Sequence, residues 1–141
     1  MSILVPKLIY NQIITYGRIS LPNEMCGALL GMQISHAMVM KEFIPLSNSS
    51  IHQCSKFEID RREWTNLIFD ALKRDRQIMG LVHSHPTTPA VPSSSDLQTL
   101  WYTIPTQWIV SYKSTKKPVL KAFRYHADGT TYEHCNWTLQ A

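Results

Sequence analysis

An apolar run, Ile78-Met79-Gly80-Leu81-Val82, leads directly into His83-Ser84-His85-Pro86, and two further prolines follow at 89 and 92 before Ser93-Ser94-Ser95-Asp96. A short apolar run bounded by breakers reads as a buried strand, so Ile78 to His83 is expected to lie at the centre of a sheet. The three prolines remove three backbone donors and stiffen the loop that follows. Ser93 with an acid three residues on is a helix-start signal, which predicts a helix from Ser93 to about Tyr102. The chain must therefore pass from a buried strand through a rigid turn into a new helix within some twenty residues.

The rest of the chain is read around this segment. Ile9, Ile13 and Tyr16 share one helical stripe over residues 7–16, with Pro6 near the start and Gly17 at the stop. Residues 26–32 are short, apolar and bounded by glycine, which suits a buried strand, and 36–44 read as its partner. Asn48-Ser49-Ser50 marks a loop, and a short strand is expected at 56–59. Residues 61–75 place Trp64, Leu67, Ile68, Ala71 and Leu72 on one helical face, opposite Arg61, Arg62, Asp70 and Lys73. Strands are expected at 107–112 and 118–126, and Asp128-Gly129 turns the chain into a last strand near 130–135. The fold class is α/β: a mixed central sheet flanked by helices, in a single domain over residues 1–141.

Residues two apart on a strand face the same way. His83 and His85 can therefore aim both imidazoles at one point, while Ser84 faces away. Asp96, one turn into the next helix, can return a carboxylate to that point. Two histidines and one aspartate are ligands of borderline hardness that suit zinc. Three protein ligands leave a fourth position to solvent, as in catalytic zinc sites. Each part also has an ordinary reading: His-x-His pairs occur as plain core or surface histidines, and Ser93-x-x-Asp96 alone is a capping box. The full pattern His-x-His-x7-Ser-x2-Asp arises by chance in about one chain per thousand of this length and composition. A carboxylate has two oxygens, so capping and metal binding can coexist.

Hydrolysis at such a site needs a proton acceptor. The available glutamates are Glu24, Glu42, Glu58, Glu63 and Glu133. Glu24 stands at the mouth of the apolar run 26–32, where an unpaired acid is costly, but spacing alone does not bring it to the histidines.

Composition narrows the function classes. Fourteen Lys and Arg against ten Asp and Glu give a net charge of +4, with no basic block longer than two residues, too weak a surplus to argue for nucleic acid. No apolar run reaches the ~20 residues that span a bilayer, and the start lacks the basic and apolar parts of a secretory leader. Cys26, Cys54 and Cys135 are odd in number, widely spaced and form no C-x-x-C pair, so neither a disulfide framework nor a cysteine zinc knuckle is expected. A reducing cytoplasm is the expected compartment. Cys26 is expected to act as a small buried hydrophobe, the four tryptophans as core or sheet-edge residues, and His36, His52, His126 and His134 as surface or strand residues.

With these residues in view, the chain resembles the JAMM/MPN+ metallopeptidase family. That family's pattern is a distant Glu followed by H-[ST]-H-x7-S-x2-D, matched here by Glu24, His83, Ser84, His85, Ser93 and Asp96. Pro22-x-Glu24-x-Cys26-Gly27 and Gly80-Leu81-Val82 match its surroundings. The resemblance implies the JAMM/MPN sandwich, related to cytidine deaminases, with zinc held by His83, His85 and Asp96. It implies Glu24 as general base and then acid on the attacking water, and Ser93 as a hydrogen-bond donor to the oxyanion. Deaminase chemistry is disfavoured because H-x-E and P-C-x-x-C are absent. Metallo-β-lactamase chemistry is disfavoured because Thr87 and Thr88 stand where it needs Asp and His.

The stretches between Glu24 and His83 and after Asp96 leave little room for the ubiquitin-gripping insertions of eukaryotic members, so the chain is similar to the compact prokaryotic ones. Those imply a peptidase or isopeptidase that cuts the amide bond after the C-terminal Gly-Gly of a small ubiquitin-like or sulfur-carrier protein, the expected partner. Two alternatives remain at this level: a phage tail-assembly or general endopeptidase on the same zinc site, and a non-catalytic MPN interaction module.

Overall fold

The computed structural model describes residues 2–141; Met1, part of the start expected to carry no leader, lies outside them. Eight strands form one mixed sheet in the order β7-β6-β5-β4-β2-β3-β1-β8. They are β1 (Ser2–Pro6), β2 (Cys26–Ile34), β3 (Ala37–Leu46), β4 (Gln77–His85), β5 (Thr106–Ser111), β6 (Val119–Tyr125), β7 (Tyr132–Cys135) and β8 (Thr138–Gln140). The helices are α1 (Lys7–Ser20), α2 (Arg61–Lys73) and the single turn α3 (Ser94–Leu97). The expected α/β sandwich with a mixed sheet is the observed architecture.

β4 lies at the centre, antiparallel to β2 and parallel to β5. Its residues from Met79 to His85 are buried, as is all of β5, which is why β4 reads as an apolar run up to His83 rather than an alternating one. Alternate side chains feed two cores. On one face Ile9 and Ile13 of α1 pack with Leu29, Val82, Trp108 and Tyr112. On the other, Leu67 and Ala71 of α2 pack with Ala28, Leu30 and Leu81. Each aliphatic side chain removed from water in this way contributes ~1.5–3 kcal/mol. His83 and His85 share the parity of Leu81 and so belong to the α2 face. The chain leaves β4 toward β5 on one side after arriving from β3 on the other. The end of β4 is thus a switch point, the place where open α/β sheets hold their ligands.

Several expectations need correction. The helix α1 does not stop at Gly17 but runs on to Ser20. Gly17 is a contact position: a Cβ there would collide with the Tyr112 ring and hydroxyl. Strands β1 and β8 add to the expected elements; β1 is short and ends at Pro6, and β8 has three residues. The strand expected at 56–59 is an extended segment with one bridge, Asn48 to Ile59. Ile68 and Leu72, assigned to the inner face of the second helix, are 37% and 70% exposed, because α2 rests on the sheet along the narrower stripe of Trp64, Leu67 and Ala71.

The helix expected from Ser93 to Tyr102 lasts only from Ser94 to Leu97. Beyond it, local and tertiary bonds replace the helical ones. Thr99 Oγ1 accepts from the Trp101 amide at 3.1 Å, and Gln107 Nε2 donates to the Trp101 carbonyl at 2.9 Å. The Trp101 ring meanwhile packs on Trp64, with centroids 4.5 Å apart.

Candidate metal centre

Three ligand atoms converge at the end of β4. His83 Nε2 and His85 Nε2 stand 3.2 Å apart, and Asp96 Oδ2 lies 3.2 Å from the first and 3.0 Å from the second. A tetrahedral zinc with ligand bonds of ~2.0 Å needs ligand atoms ~3.3 Å apart, so this triangle has the dimensions of one face of such a tetrahedron. No other residue type intervenes: the set is two imidazole nitrogens and one carboxylate oxygen.

The surroundings hold these groups in place. The Nδ1–H of His85 donates to the Pro89 carbonyl at 2.8 Å, which leaves Nε2 to face the convergence point. Stiffness in the proline loop therefore becomes orientation of a ligand. Phe57 stacks on His83 with centroids 4.7 Å apart. Ser93 and Asp96 form the expected capping box, with one difference from the sequence reading. Asp96 does not divide its oxygens between the two jobs: Oδ2 accepts from the Ser93 amide at 2.9 Å and also faces both histidines. Burial alone would raise the Asp96 pKa, but hydrogen bonds from His83 and His85 outweigh it and hold the carboxyl well below the ordinary range. Burial likewise opposes the His85 cation, yet the bonds to Asp96 and Pro89 win and its pKa is raised.

Glu24 is brought to the same end of the sheet by backbone pairing. Cys26 sits opposite His83 in the β2–β4 register. One step further out, the Met25 amide donates to Ser84 Oγ at 2.8 Å and the Ser84 amide donates to the Met25 carbonyl at 3.2 Å. Continuing the register sets Glu24 beside His85. Asn48 Nδ2 donates to the Glu24 carbonyl at 3.0 Å. The Glu24 side chain is only 6% exposed, and its Oε1 has no hydrogen-bond partner among the described residues. Burial pushes its pKa up to about 7; His85 pulls it down and Asp96 pushes it up. A buried carboxylate oxygen without a partner is a costly feature that calls for an explanation.

Of the five sequence-derived residues, His83, His85 and Asp96 come together, Ser93 is exposed on the capping turn bonded to Asp96, and Glu24 is buried just before β2. A sequence reading could not find the Pro89 carbonyl, Phe57 or Asn48, because their roles depend on backbone atoms and on loops far apart in the chain. The proline spacing was the one available hint of a rigid support. Cys26 is buried, donates weakly to the Leu46 and Ser47 carbonyls, and its thiol is pushed up to about 12 by burial and by Glu63 and Glu24. It is therefore no thiolate at neutral pH.

The family model for prokaryotic homologs of the JAB domain matches residues 6–137. The chain belongs to this family. The JAB domain described here is also similar to the desampylase of Pyrococcus furiosus, 27% identical over 89 residues, which cover 62% of this chain and 58% of the desampylase. The chain thus spans under two thirds of that relative. Among solved structures, protein DSY2949 of Desulfitobacterium hafniense superposes with a TM-score of 0.86 at 30% identity, covering 98% of this chain and 92% of the other. A protein of Salinibacter ruber gives a TM-score of 0.73 at 24% identity over 99% and 92% of the two chains, a likeness of fold alone. No helix among the described residues of this JAB domain is long and apolar enough to cross a membrane.

Proposed function

We propose that this JAB domain, acting as one unit, is a zinc-dependent peptidase or isopeptidase that hydrolyses the amide bond after the C-terminal Gly-Gly of a small ubiquitin-like or sulfur-carrier protein. The observation that carries the reading is the triangle of His83 Nε2, His85 Nε2 and Asp96 Oδ2 with the unpartnered Glu24 Oε1 next to it. The similarity to a desampylase, a name that denotes removal of a ubiquitin-like modifier, supports the substrate class. The free cysteines fit a reducing cytoplasm.

His83, His85 and Asp96 would hold the zinc, which when bound supplies Lewis-acid polarisation of the scissile carbonyl and of water. Glu24 takes the proton of the attacking water on its carboxylate and later returns it to the leaving nitrogen. Burial raises its pKa in the metal-free protein, which keeps the carboxyl able to hold a proton as well as to take one. Ser93 Oγ already accepts from the Asp96 amide at 3.0 Å, so its own O–H remains to donate to the developing oxyanion. Pro89 keeps the His85 ring from rotating. A tail without side chains can lie flat in the cleft that opens onto His83 and Asp96 and pair as an added strand.

The test is mass spectrometry of several ubiquitin-like carriers bearing extra residues beyond Gly-Gly, incubated with the zinc-loaded protein. Trimming back to Gly-Gly is expected. Failure to trim any of them would remove this substrate class.

A further inference from the structure

Among the described residues, two buried side-chain atoms lack a hydrogen-bond partner: Glu24 Oε1 and Tyr125 Oη. The first has a role in the mechanism above; the second does not. Tyr125 ends β6 and is 5% exposed. It packs in a cluster with Leu97, Ile109 and Phe123, surroundings that a phenylalanine would fill as well. It also lines a cleft of about 500 Å³ that opens onto His83 and Asp96. Two phenols of the α1 core are satisfied by contrast: Tyr112 Oη donates to the Ile14 carbonyl at 2.6 Å and Tyr16 Oη to the Leu46 carbonyl at 3.1 Å.

An unpaired buried hydroxyl weakens the free protein, and such groups collect where a ligand will later satisfy them. The cleft indicates which ligand. Two of its walls are aromatic, Phe57 lying on His83 and Trp101 braced by Trp64, and polar side chains such as Ser55, Thr99 and Gln107 line the rest. Flat apolar rings beside polar side chains suit an extended peptide, whose backbone groups need partners along the cleft. A neutral phenol has one O–H to donate, and the acceptor that every peptide carries is the main-chain carbonyl.

We propose that Tyr125 Oη is a substrate-binding donor, taking a main-chain carbonyl of the peptide that lies in the cleft between Phe57 and Trp101. The assignment rests on the peptidase reading and deepens it. It makes recognition of the tail depend on backbone, so small residues such as glycine are admitted by space and held by this bond.

The experiment uses Tyr125→Phe, which removes one oxygen. In the zinc-loaded Glu24→Gln protein, which is expected to hold substrate without turning it over, a fluorescent peptide containing Gly-Gly followed by one further residue is titrated by anisotropy. Adding Tyr125→Phe should weaken Kd by about five- to tenfold. In the protein with Glu24 intact, KM should rise by a similar factor while kcat stays within about twofold, since the bond is made equally in ground and transition states. Thermal midpoint and bound zinc should not fall. Unchanged Kd and KM, or a loss of stability or metal, would overturn the assignment of Tyr125 alone. No binding of any Gly-Gly peptide to the Glu24→Gln parent would overturn it together with the substrate class. Binding that depends on Tyr125 in a protein that cleaves nothing would leave Tyr125 in place and remove the peptidase reading.

Discussion

Met25 and Ser84 exchange two hydrogen bonds, amide to hydroxyl at 2.8 Å and amide to carbonyl at 3.2 Å, and so tie the residue after Glu24 to the residue between His83 and His85. Glu24 and the His83–His85 pair are thus positioned by one junction, which lies on the side of β4 away from the ligand triangle. Ser84→Ala leaves the Met25 amide buried without its acceptor. A loss of ~1–3 kcal/mol is expected by denaturant titration. Turnover should fall by more than zinc content does, because Glu24 is released while the ligand triangle remains.

Asp96 uses one oxygen for the Ser93 amide and both histidines, so its two roles can be separated chemically. Asp96→Asn keeps an oxygen for the cap but removes the charge, and zinc affinity should fall at least ~100-fold with little change in fold. His85→Ala should also lose the metal. Elemental analysis after dialysis checks both, and chelator treatment of the unaltered protein should abolish turnover until zinc is restored.

Glu24 links activity to stability. Its folded pKa is about 7 against an ordinary 4.5, so the fold favours the neutral acid. In metal-free protein the associated stability is complete below pH 4.5, declines as pH rises toward 7 and is level above it. Glu24→Gln removes that decline, and at pH 8 the metal-free variant should melt roughly 3–8 °C higher than the unaltered protein. The same variant should be inactive, with zinc still bound. A lower melting point at pH 8 would contradict the buried, unpaired state of this side chain.

The pH profile of turnover follows from the same group. Glu24 must be ionised to accept a proton, so kcat/KM should drop on the acid side with a limb at or below pH 7, because a bound cation favours the carboxylate further. Glu24→Asp, with a shorter reach, should keep an acid limb while losing most of the rate.

Gly17 tests the packing of α1. Alanine within a helix ordinarily gains ~1 kcal/mol over glycine. Here the added methyl meets the Tyr112 ring and hydroxyl, which is already bonded to the Ile14 carbonyl. Gly17→Ala should therefore destabilise by ~1–3 kcal/mol in a thermal or urea melt, the opposite sign to an exposed helical site.

The α/β class, the central strand through His83 and the ligand set were legible in residue order, because each depends on short-range rules. Period-two alternation aims His83 and His85 together, prolines forbid the strand from continuing, and Ser93 with Asp96 starts a turn. The brevity of α3 was not legible, since Thr99, Trp101 and Gln107 end it through bonds that need β5 and α2 already in place. Nor was the reach of α1 past Gly17, which depends on the space left beside Tyr112. By residue order alone this chain specified a set of groups able to bind a divalent metal. Bringing Glu24 up to that set, burying its Oε1 without a partner and fixing the His85 ring against Pro89 required the β2–β4 register and the closed proline loop. Those are contacts between distant segments, and no local propensity encodes a distance between parts of the chain that meet only when the sheet has formed.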